Sequence, residues 1–457
     1  MDPVTKPLTE QLISALRSDL RGPLSLQGDA RYDTSRRLWS AAINRYPAAI
    51  VHCSDPEDVS IALRHAYDHG CRVTVKGGGH NVAGRALLEG ALLLDLSGLN
   101  AISVNPATRT ATVQGGALWR DVDAATGRHN LATVGGLVSS TGVGGFTLGG
   151  GAGWLMRQYG LACDNLIGAT VVLPDGRFQH VSDTEHEELF WGLRGGGGIA
   201  IATGLEFQLH SLRNVLAGIV VHRAEHAPSV LRQFRDFAAE APDAFCGLAA
   251  LVNAPPLPFL APEWHGRPVV ILALCWSGDP ELGGTALRPL QAFGTPLVTH
   301  VALMPYVMWQ QSQDAGAPAG RYHYWKTANF SALSNAVLDE LASMALSLPT
   351  PFTEIHVQHL GGAVARQLAG ETAFAHRSAN FFVNLIGTAT DPGGLAPLRE
   401  SIRHFHERLQ PSALPTFMPN FSNEDDQDSG KLFDAVRSAR LQSLRLRYDP
   451  AGLIGPI

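Results

Sequence analysis

The chain has 457 residues, 45% of them hydrophobic and 17% charged, a composition typical of a soluble globular protein with room for two or three domains. Its 35 Lys and Arg against 41 Asp and Glu give a net charge of -6, which argues against a nucleic-acid surface, because phosphate binding needs a basic face. Five scattered cysteines without a C-x-x-C pair indicate reduced thiols, and no stretch resembles a signal peptide or a membrane span. We therefore expect a cytoplasmic protein with no membrane partner.

The first 207 residues predict an α+β domain of short strands, helices and glycine-rich turns. A helix begins after Asp55 and ends at Gly70, between two apolar strands, which is the order of a βαβ unit. A second predicted helix carries Trp119. The predicted strands are 48–52, 72–75, 91–96, 101–104, 110–113, 169–173 and 199–207.

Residues 208–410 predict a second domain, because the glycine clusters stop and long aliphatic or aromatic strands take over. We expect an antiparallel sheet with helices on one face. The clearest strands are 269–276, 322–330, 353–360 and 379–387. The helical pattern resumes in 411–457, and the acidic stretch 423–429 within this last segment predicts a solvated surface loop.

Three glycine clusters mark the first domain: 77–79, 134–153 and 194–198. Each adjoins a predicted strand, and successive backbone N–H groups in such turns form anion-binding nests, so together they predict a dinucleotide diphosphate site. The chain lacks G-x-G-x-x-G, Walker A, H-E-x-x-H and G-x-S-x-G motifs, so Rossmann, P-loop, zinc-peptidase and α/β-hydrolase alternatives lose their signatures, and no metal site is predicted. The remaining alternative is that these glycines merely form tight turns.

His80 follows the first glycine cluster directly and is therefore exposed to whatever ligand that turn holds. A lone histidine is usually a surface or core residue. Imidazole is nevertheless nucleophilic enough to bond the methyl position of a flavin ring, and glycine neighbours let such a ring come close. The pattern predicts that His80 contacts the ligand of the glycine turns.

Three motifs carry a resemblance to a known family: 75–84 (VKGGGHNVAG), 133–155 and 159–166 (YGLACDNL). Shorter matches follow at 188–197, 324–326, 361–363, 420–421 and 448–450, so the likeness extends over nearly the whole chain. On these segments the chain resembles the berberine-bridge-enzyme-like flavoproteins of the vanillyl-alcohol-oxidase superfamily, near bacterial members of the 6-hydroxy-D-nicotine oxidase kind. That superfamily has a two-lobed FAD-binding domain of the p-cresol-methylhydroxylase type.

The resemblance implies FAD as the cofactor, bound covalently through His80. It implies a discontinuous FAD-binding domain made of 1–207 and 411–457, with 208–410 as the substrate-binding domain. The other residues that it places against FAD are Lys76, Gly77, Gly78, Gly79, Asn81, Ala83, Gly84, Gly136, Ser139, Ser140, Thr141, Gly142, Gly145, Gly149, Gly150, Gly151, Ile201 and Asn420.

The sequence departs from the family pattern in three places, one of them at 197–200 in the third glycine cluster, and the other two concern the tether and the base. Some relatives carry a second, cysteinyl tether at a place that spacing assigns to Val138, so a single histidyl link is expected, with Cys163 as a buried structural thiol. Many relatives place a tyrosine, often the catalytic base, two residues before the asparagine that corresponds to Asn420. Met418 stands there and cannot accept a proton.

The family chemistry implied is removal of a hydride from a C–OH or C–N carbon of a small molecule, with electrons passed to O₂ to give hydrogen peroxide. Strand alternation puts Glu354, His356 and Gln358 on one face, so Glu354 or His356 could be the base that Met418 cannot be, unless this face merely meets solvent. Tyr324 and Asn384 are further candidates. The alternative function is a flavin-retaining cyclase, lyase or binding protein.

Overall fold

The computed structural model describes residues 8–367, 370–375, 377–416, 418–426 and 432–455. The helices are α1 Glu10–Asp19, α2 Tyr32–Ser35, α3 Pro56–His69, α4 Trp119–Gly127, α5 Val143–Leu148, α6 Met156–Tyr159, α7 Glu187–Leu193, α8 Ala227–Glu240, α9 Pro280–Ala286, α10 Arg288–Gln291, α11 Tyr306–Gln310, α12 Asn335–Ala345, α13 Ala363–Arg366, α14 Leu395–Leu409 and α15 Ala435–Tyr448. The strands are β1 Leu24–Ser25, β2 Ala49–His52, β3 Val73–Lys76, β4 Leu92–Asp95, β5 Ile102–Asn105, β6 Thr110–Gln114, β7 Leu131–Ala132, β8 Leu166–Val172, β9 Phe178–Ser182, β10 Ile201–Gln208, β11 His210–Ser211, β12 Asn214–Arg223, β13 Phe245–Asn253, β14 Pro268–Trp276, β15 Val298–Pro305, β16 Tyr322–Phe330, β17 Glu354–His359 and β18 Phe381–Ala389.

The first sheet has the order β1-β2-β4-β3, and its strands β2, β4 and β3 run parallel. Helix α3 makes the crossover from β2 to β3. The Asp55 side chain caps its first turn, and Gly70 ends it with a φ of 66°, a left-handed conformation that favours glycine. The predicted βαβ unit is confirmed, and β3 leads directly into the first glycine cluster.

The second sheet is antiparallel, with the order β5-β6-β10-β8-β9. Its core includes Trp119 of α4 and Phe190 of α7. Leu441 and Leu444 of the C-terminal helix α15 are buried in the same core. The last helix therefore packs on the part of the chain that contains the glycine clusters, far from its neighbours in sequence.

The third sheet is antiparallel throughout, with the order β15-β12-β14-β13-β17-β18-β16. Helices α8, α12 and α14 cover one face, where Phe234, Leu338 and Ile402 join its core. The other face packs on Trp154 and Leu155 of the glycine-rich part of the chain. The α+β class and the helix-backed antiparallel sheet are as predicted. No helix in the described ranges has both the length and the apolar character that crossing a bilayer requires.

The prediction that 423–429 forms a solvated surface loop holds in part for 423–426, its described part: the segment is a loop and Asp425 is exposed, but Asn423 is buried. Glu424, Asp425 and Asp426 make ion pairs with basic side chains of β16, α14 and the N-terminal region. Acidic runs usually face water, but here buried and half-buried cations attract the carboxylates. Residues 427–429 lie outside the described residues.

Candidate active site

A cavity of about 320 Å³ is lined by residues of all three large sheets and of the loops between them. We call its glycine-rich side, formed by 77–81 and 136–145, the floor. The roof consists of the cavity-facing residues of β16, β17 and β18. These are His323, Trp325, Glu354, His356, Asn384, Ile386 and Thr388.

The floor is built by backbone approaching backbone. A Cβ atom added to Gly78 would lie 2.3 Å from the Gly142 nitrogen, and one added to Gly142 would lie 2.2 Å from the Gly78 nitrogen. A Cβ on Gly145 would meet no atom within 4 Å, because that position faces open space. The first two glycine clusters therefore touch each other and leave a bare backbone surface toward the cavity.

His80 stands at the edge of this floor in a stack of three rings. Its ring lies 4.7 Å from that of Trp39, which in turn lies 3.9 Å from the His323 ring of the roof. Its Nε2 is 2.8 Å from the Ser140 hydroxyl oxygen, and its Nδ1 has no hydrogen-bond partner among the described residues. Burial lowers the pKa of His80 to about 4, against the opposing charge of Asp314, so the imidazole is neutral at neutral pH.

Eleven of the nineteen predicted cofactor residues line the cavity, nine of them in the floor. They are Gly77, Gly78, Gly79, His80, Asn81, Gly136, Thr141, Gly142, Gly145, Ile201 and Asn420. Asn420 joins the floor from the far end of the sequence: its side-chain carbonyl accepts from the Gly151 N–H at 3.0 Å, and its amide donates to the Phe146 carbonyl at 3.0 Å. The C-terminal segment thus returns to the second glycine cluster, as the resemblance implied.

The other eight predicted cofactor residues lie behind the lining: Lys76, Ala83, Gly84, Ser139, Ser140, Gly149, Gly150 and Gly151. Their roles here are supporting contacts. Lys76 pairs with Asp95 at 2.8 Å, and Ser139 donates its N–H and hydroxyl to Asp314 at 2.8 and 2.6 Å. Ala83 donates its N–H to the Asn81 side chain. Direct contact of these eight residues with FAD therefore stays a prediction.

The roof presents a hydrogen-bonded pair of ionisable side chains. His356 Nε2 donates to the Glu354 carboxylate at 2.7 Å, and both residues line the cavity. Their neighbours Ile355 and Val357 are buried in the core on the helix side, as period-two alternation predicts. Asn384 stands beside His356 on the adjacent strand and also lines the cavity, whereas Gln358 is buried beyond the lining.

Comparisons with known proteins agree with this geometry. Residues 47–182 match a family model described as an FAD binding domain. The chain is 31% identical to (R)-6-hydroxynicotine oxidase of Paenarthrobacter nicotinovorans over 95% of this chain and 97% of that protein. It is 27% identical to an FAD-linked oxidoreductase of Dictyostelium discoideum over 96% of this chain and 94% of that protein.

Solved structures share the fold. 6-Hydroxy-D-nicotine oxidase from Arthrobacter nicotinovorans superposes with a TM-score of 0.85 at 23% identity, covering 95% of this chain and 96% of that one. A berberine-bridge-enzyme-like protein of Physcomitrella patens superposes with a TM-score of 0.86 at 18% identity, covering 97% of each chain. The chain belongs to the berberine-bridge-enzyme-like FAD-linked oxidoreductases. Its cofactor is FAD.

The lining of the cavity fits FAD in its polar atoms and in its shape. Four buried polar atoms of lining residues have no hydrogen-bond partner among the described residues: Thr74 Oγ1, His323 Nε2, Trp325 Nε1 and Asn384 Oδ1. Buried polar groups are nearly always paired in native proteins, so these four atoms are consistent with a polar ligand beside them. The bare glycine backbone of the floor and the open space beside Gly145 fit a large planar group.

Tyr324 does not belong to the catalytic cavity of the oxidoreductase, which corrects its place among the candidate bases. It points to the helix side of the sheet and is 1% exposed. Its hydroxyl donates to Asp425 at 2.6 Å and accepts from Arg403 at 2.9 Å. Alternation along β16 decides this: His323 and Trp325 face the cavity, so the residue between them cannot.

Several cavity residues of the oxidoreductase were missed by the sequence analysis. The most prominent are Trp39, Arg85, His323, Trp325, Phe352 and Phe421. The alternation that singled out Glu354 would have found His323 and Trp325, had it been known which face of β16 lines the cavity. We call this choice of face the parity of the strand. Trp39 lies in an irregular segment before the first glycine cluster and gives no periodic signal.

The positions at which the sequence departs from the family pattern differ in their surroundings. Val138 lines the cavity, whereas Met418 is 3% exposed in an apolar cluster that includes Phe382. Cys163 is free and buried away from the lining, and burial raises the pKa of its thiol well above the usual range. With Met418 at the tyrosine position, Glu354 is the carboxylate that the roof offers to the cavity.

Proposed function

We propose that the protein is an oxidase with FAD attached through His80 alone, and that Glu354, paired with His356, is the base for oxidation of a small alcohol or amine. The observation that carries this is that His80 of the floor and the Glu354–His356 pair of the roof face one cavity. Bound FAD supplies the redox chemistry, accepting a hydride from a substrate carbon, after which O₂ takes up the electrons as hydrogen peroxide.

His80 is suited to form the covalent link. Its ring is neutral at neutral pH, its Nε2 is engaged by Ser140, and its Nδ1 is left without a partner in the described residues. Stacking on Trp39 fixes the ring plane. One solved relative, glucooligosaccharide oxidase of Acremonium strictum, is described as holding a 6-S-cysteinyl, 8α-N1-histidyl FAD. All five cysteines of this chain are buried and absent from the lining, which supports a single tether.

Glu354 and His356 take over the proton that the substrate O–H or N–H releases. The Glu354 carboxylate is one-third exposed at the cavity, and His356 holds it in place from the same strand face. Glu354 is the single carboxylate, and Arg85 the single lysine or arginine, among the lining residues of the described chain. An acidic roof favours a neutral or positively charged substrate over a carboxylate.

The division of the chain follows from the same contacts. We assign 1–207 and 411–457 to the FAD-binding domain, supported by α15 in the core of the second sheet and by Asn420 at the floor. Residues 208–410 form the substrate-binding domain, supported by the sheet that provides the roof. Five free, buried thiols favour the cytoplasm as the compartment.

Anaerobic reduction tests the reaction. Small alcohols, amines and sugars are mixed with the holoprotein without oxygen, and absorbance is followed near the flavin maximum. We expect one class to bleach the flavin, and air to restore the colour with one equivalent of peroxide. Product formation from a substrate that never bleaches the flavin would instead establish the cyclase or lyase alternative.

Acid precipitation tests the tether. The wild-type pellet should stay yellow, and the His80→Ala pellet should turn white with its colour in the supernatant. Ser140→Ala is the matched variant, because it removes the partner of Nε2 while leaving the ring. A colourless wild-type pellet would refute the covalent link.

A further inference from the structure

We infer that an acidic clamp on the back of the roof positions one wall of the substrate end of the cavity. The clamp consists of Glu424, Asp425 and Asp426, and the wall is Phe421. Both belong to 418–426, which we call the C-terminal strap. The inference deepens the proposed function and rests on it, because the proposed function is what makes this part of the cavity a substrate site.

The first half of the strap lies at the cavity. Asn420 bonds the second glycine cluster, and Phe421 lines the cavity beside Trp325 of the roof, with ring centroids 6.2 Å apart. The Phe421 ring also contacts Phe382, at 4.9 Å between centroids. Arg85, another lining residue, donates to the Ser422 hydroxyl at 3.0 Å. This half therefore touches floor and roof together.

The second half of the strap lies behind the roof. Asp425 accepts from Lys326 at 2.8 Å and from Arg403 at 2.8 Å, and Asp426 also pairs with Lys326. Glu424 pairs with Arg399 at 2.7 Å and with Arg45 at 3.4 Å. The basic partners of the clamp thus come from β16, α14 and the N-terminal region.

Strand parity explains how one short segment reaches both sides. β16 is an edge strand of the third sheet, with Trp325 facing the cavity and Lys326 facing the helices. The strap crosses that edge, where the Asn423 side chain donates to the Trp325 carbonyl at 3.1 Å. Phe421 then lies on the cavity side of the strand and Asp425 on its helix side.

The clamp is strong because its central cation has little access to water. Lys326 is 7% exposed, so an unpaired ammonium there would be costly, and two carboxylates of the strap neutralise it. Burial opposes ionisation of Asp425, but hydrogen bonds from Lys326, Tyr324 and Arg403 outweigh it and hold the pKa of Asp425 well below its usual range. Asp425 therefore stays charged through the neutral range.

Asp425 is a positioning residue, because it does not line the cavity and acts through Phe421. Its loss should loosen the wall against which substrate packs while leaving His80 and the Glu354–His356 pair in place. The effect should appear in KM rather than in kcat. It should not appear in retention of the flavin.

The experiment compares Asp425→Asn with Asp339→Asn in the holoprotein. Asp339 belongs to an ion pair with Arg232 on the surface of the substrate-binding domain. For Asp425→Asn we expect KM to rise about tenfold with kcat within about threefold of wild type, and the acid pellet to stay yellow. Asp425→Glu should recover part of the KM. A KM equal to that of Asp339→Asn, or a loss confined to kcat, would overturn the inference.

A double variant tests the route through Phe421. If Asp425 acts through that ring, Asp425→Asn should add little to the KM of Phe421→Ala, because coupled residues are not additive. Additive effects would overturn the inference. If Asp425→Asn does not accumulate, Arg403→Met replaces it, since that side chain is half exposed and removes one partner of Asp425. The KM should then rise less but in the same direction, and an unchanged KM would count against the clamp.

Hydrogen exchange separates this inference from the proposed function, because it needs no substrate. Backbone amides of 418–426 in the holoprotein should exchange faster in Asp425→Asn than in wild type or Asp339→Asn. Unchanged exchange would contradict the clamp even if the oxidase activity is established. Faster exchange would support it even if no tested substrate reduces the flavin.

Discussion

The floor and the roof of the cavity achieve their shapes by different means. The floor is backbone against backbone, with Gly78 and Gly142 so close that neither could carry a side chain. The roof is the regular face of three strands, and its properties come from side chains such as Glu354, His356 and Asn384. A change in the floor is therefore a steric problem, whereas a change in the roof is a chemical one.

The difference also concerns what each side can tolerate. A strand face accepts many side chains without disturbing the strand, so the roof can vary in chemistry while its fold persists. A glycine contact of 2.2 to 2.3 Å to backbone atoms leaves no such freedom, because neither partner is a flexible side chain. We therefore expect failures in the floor to remove the cofactor and failures in the roof to leave it bound.

The largest effect should come from Gly78→Ala. Its Cβ would overlap the Gly142 backbone, and overpacking of this kind costs about 1–3 kcal/mol or more. We expect the purified variant to carry much less flavin than wild type, measured as the ratio of flavin to protein absorbance. Gly284→Ala in α9 is the control, because a Cβ there meets nothing within 4 Å. A Gly78→Ala protein with the wild-type flavin content would contradict the expectation that changes in the floor remove the cofactor.

Glu354→Gln should produce the largest effect in the roof. It keeps the shape of the side chain but removes its capacity to accept a proton, so the rate of anaerobic flavin reduction should fall by about 10²–10⁴-fold. The acid pellet should remain yellow, since the floor is unchanged. Glu400→Gln on the exposed side of α14 is the matched control. Reduction at the wild-type rate would remove Glu354 from the proposal, leaving His356 as the candidate.

The sequence predicted the floor far better than the roof, and the reason is physical. Glycine is required where backbones meet, so the clusters at 77–79 and 134–153 can be recognised directly from the amino-acid sequence. Eleven of the nineteen residues predicted to contact FAD line the cavity. One of them is Asn420, although that residue came from the family resemblance and not from any local pattern.

In the roof, alternation identified the face shared by Glu354 and His356 but could not say which face of β16 is inside. That parity depends on the register between β16 and β18, where His323 pairs with Thr388 and Trp325 with Ile386. Register is a tertiary property, so Tyr324 was assigned to the wrong side. The ion pairs of the acidic stretch were not predicted for the same reason, because its buried partner Lys326 is distant in sequence.

Acid should destabilise the roof through His323. Burial lowers the pKa of His323 to about 3, whereas an unfolded histidine titrates near 6.5. Below pH 6.5 the unfolded chain therefore binds a proton that the folded chain does not, and stability falls by up to about 1.4 kcal/mol per pH unit until about pH 3. His323→Phe should show a shallower loss in denaturant unfolding between pH 7 and pH 4, compared with the exposed control His129→Phe. Equal slopes in wild type and His323→Phe would contradict this cause.

The smallest effect should come from Tyr324→Phe, and it tests the parity of β16 directly. Burial raises the pKa of the Tyr324 hydroxyl well above its usual range, so the group stays protonated and donates to Asp425 on the helix side. Removing it should cost about 1 kcal/mol of unfolding free energy for the lost hydrogen bond. The flavin reduction rate should stay within about threefold of wild type, because a general base is typically worth 10²-fold or more. A hundredfold loss would return Tyr324 to the cavity and would mean that the wrong face of β16 has been taken as the roof.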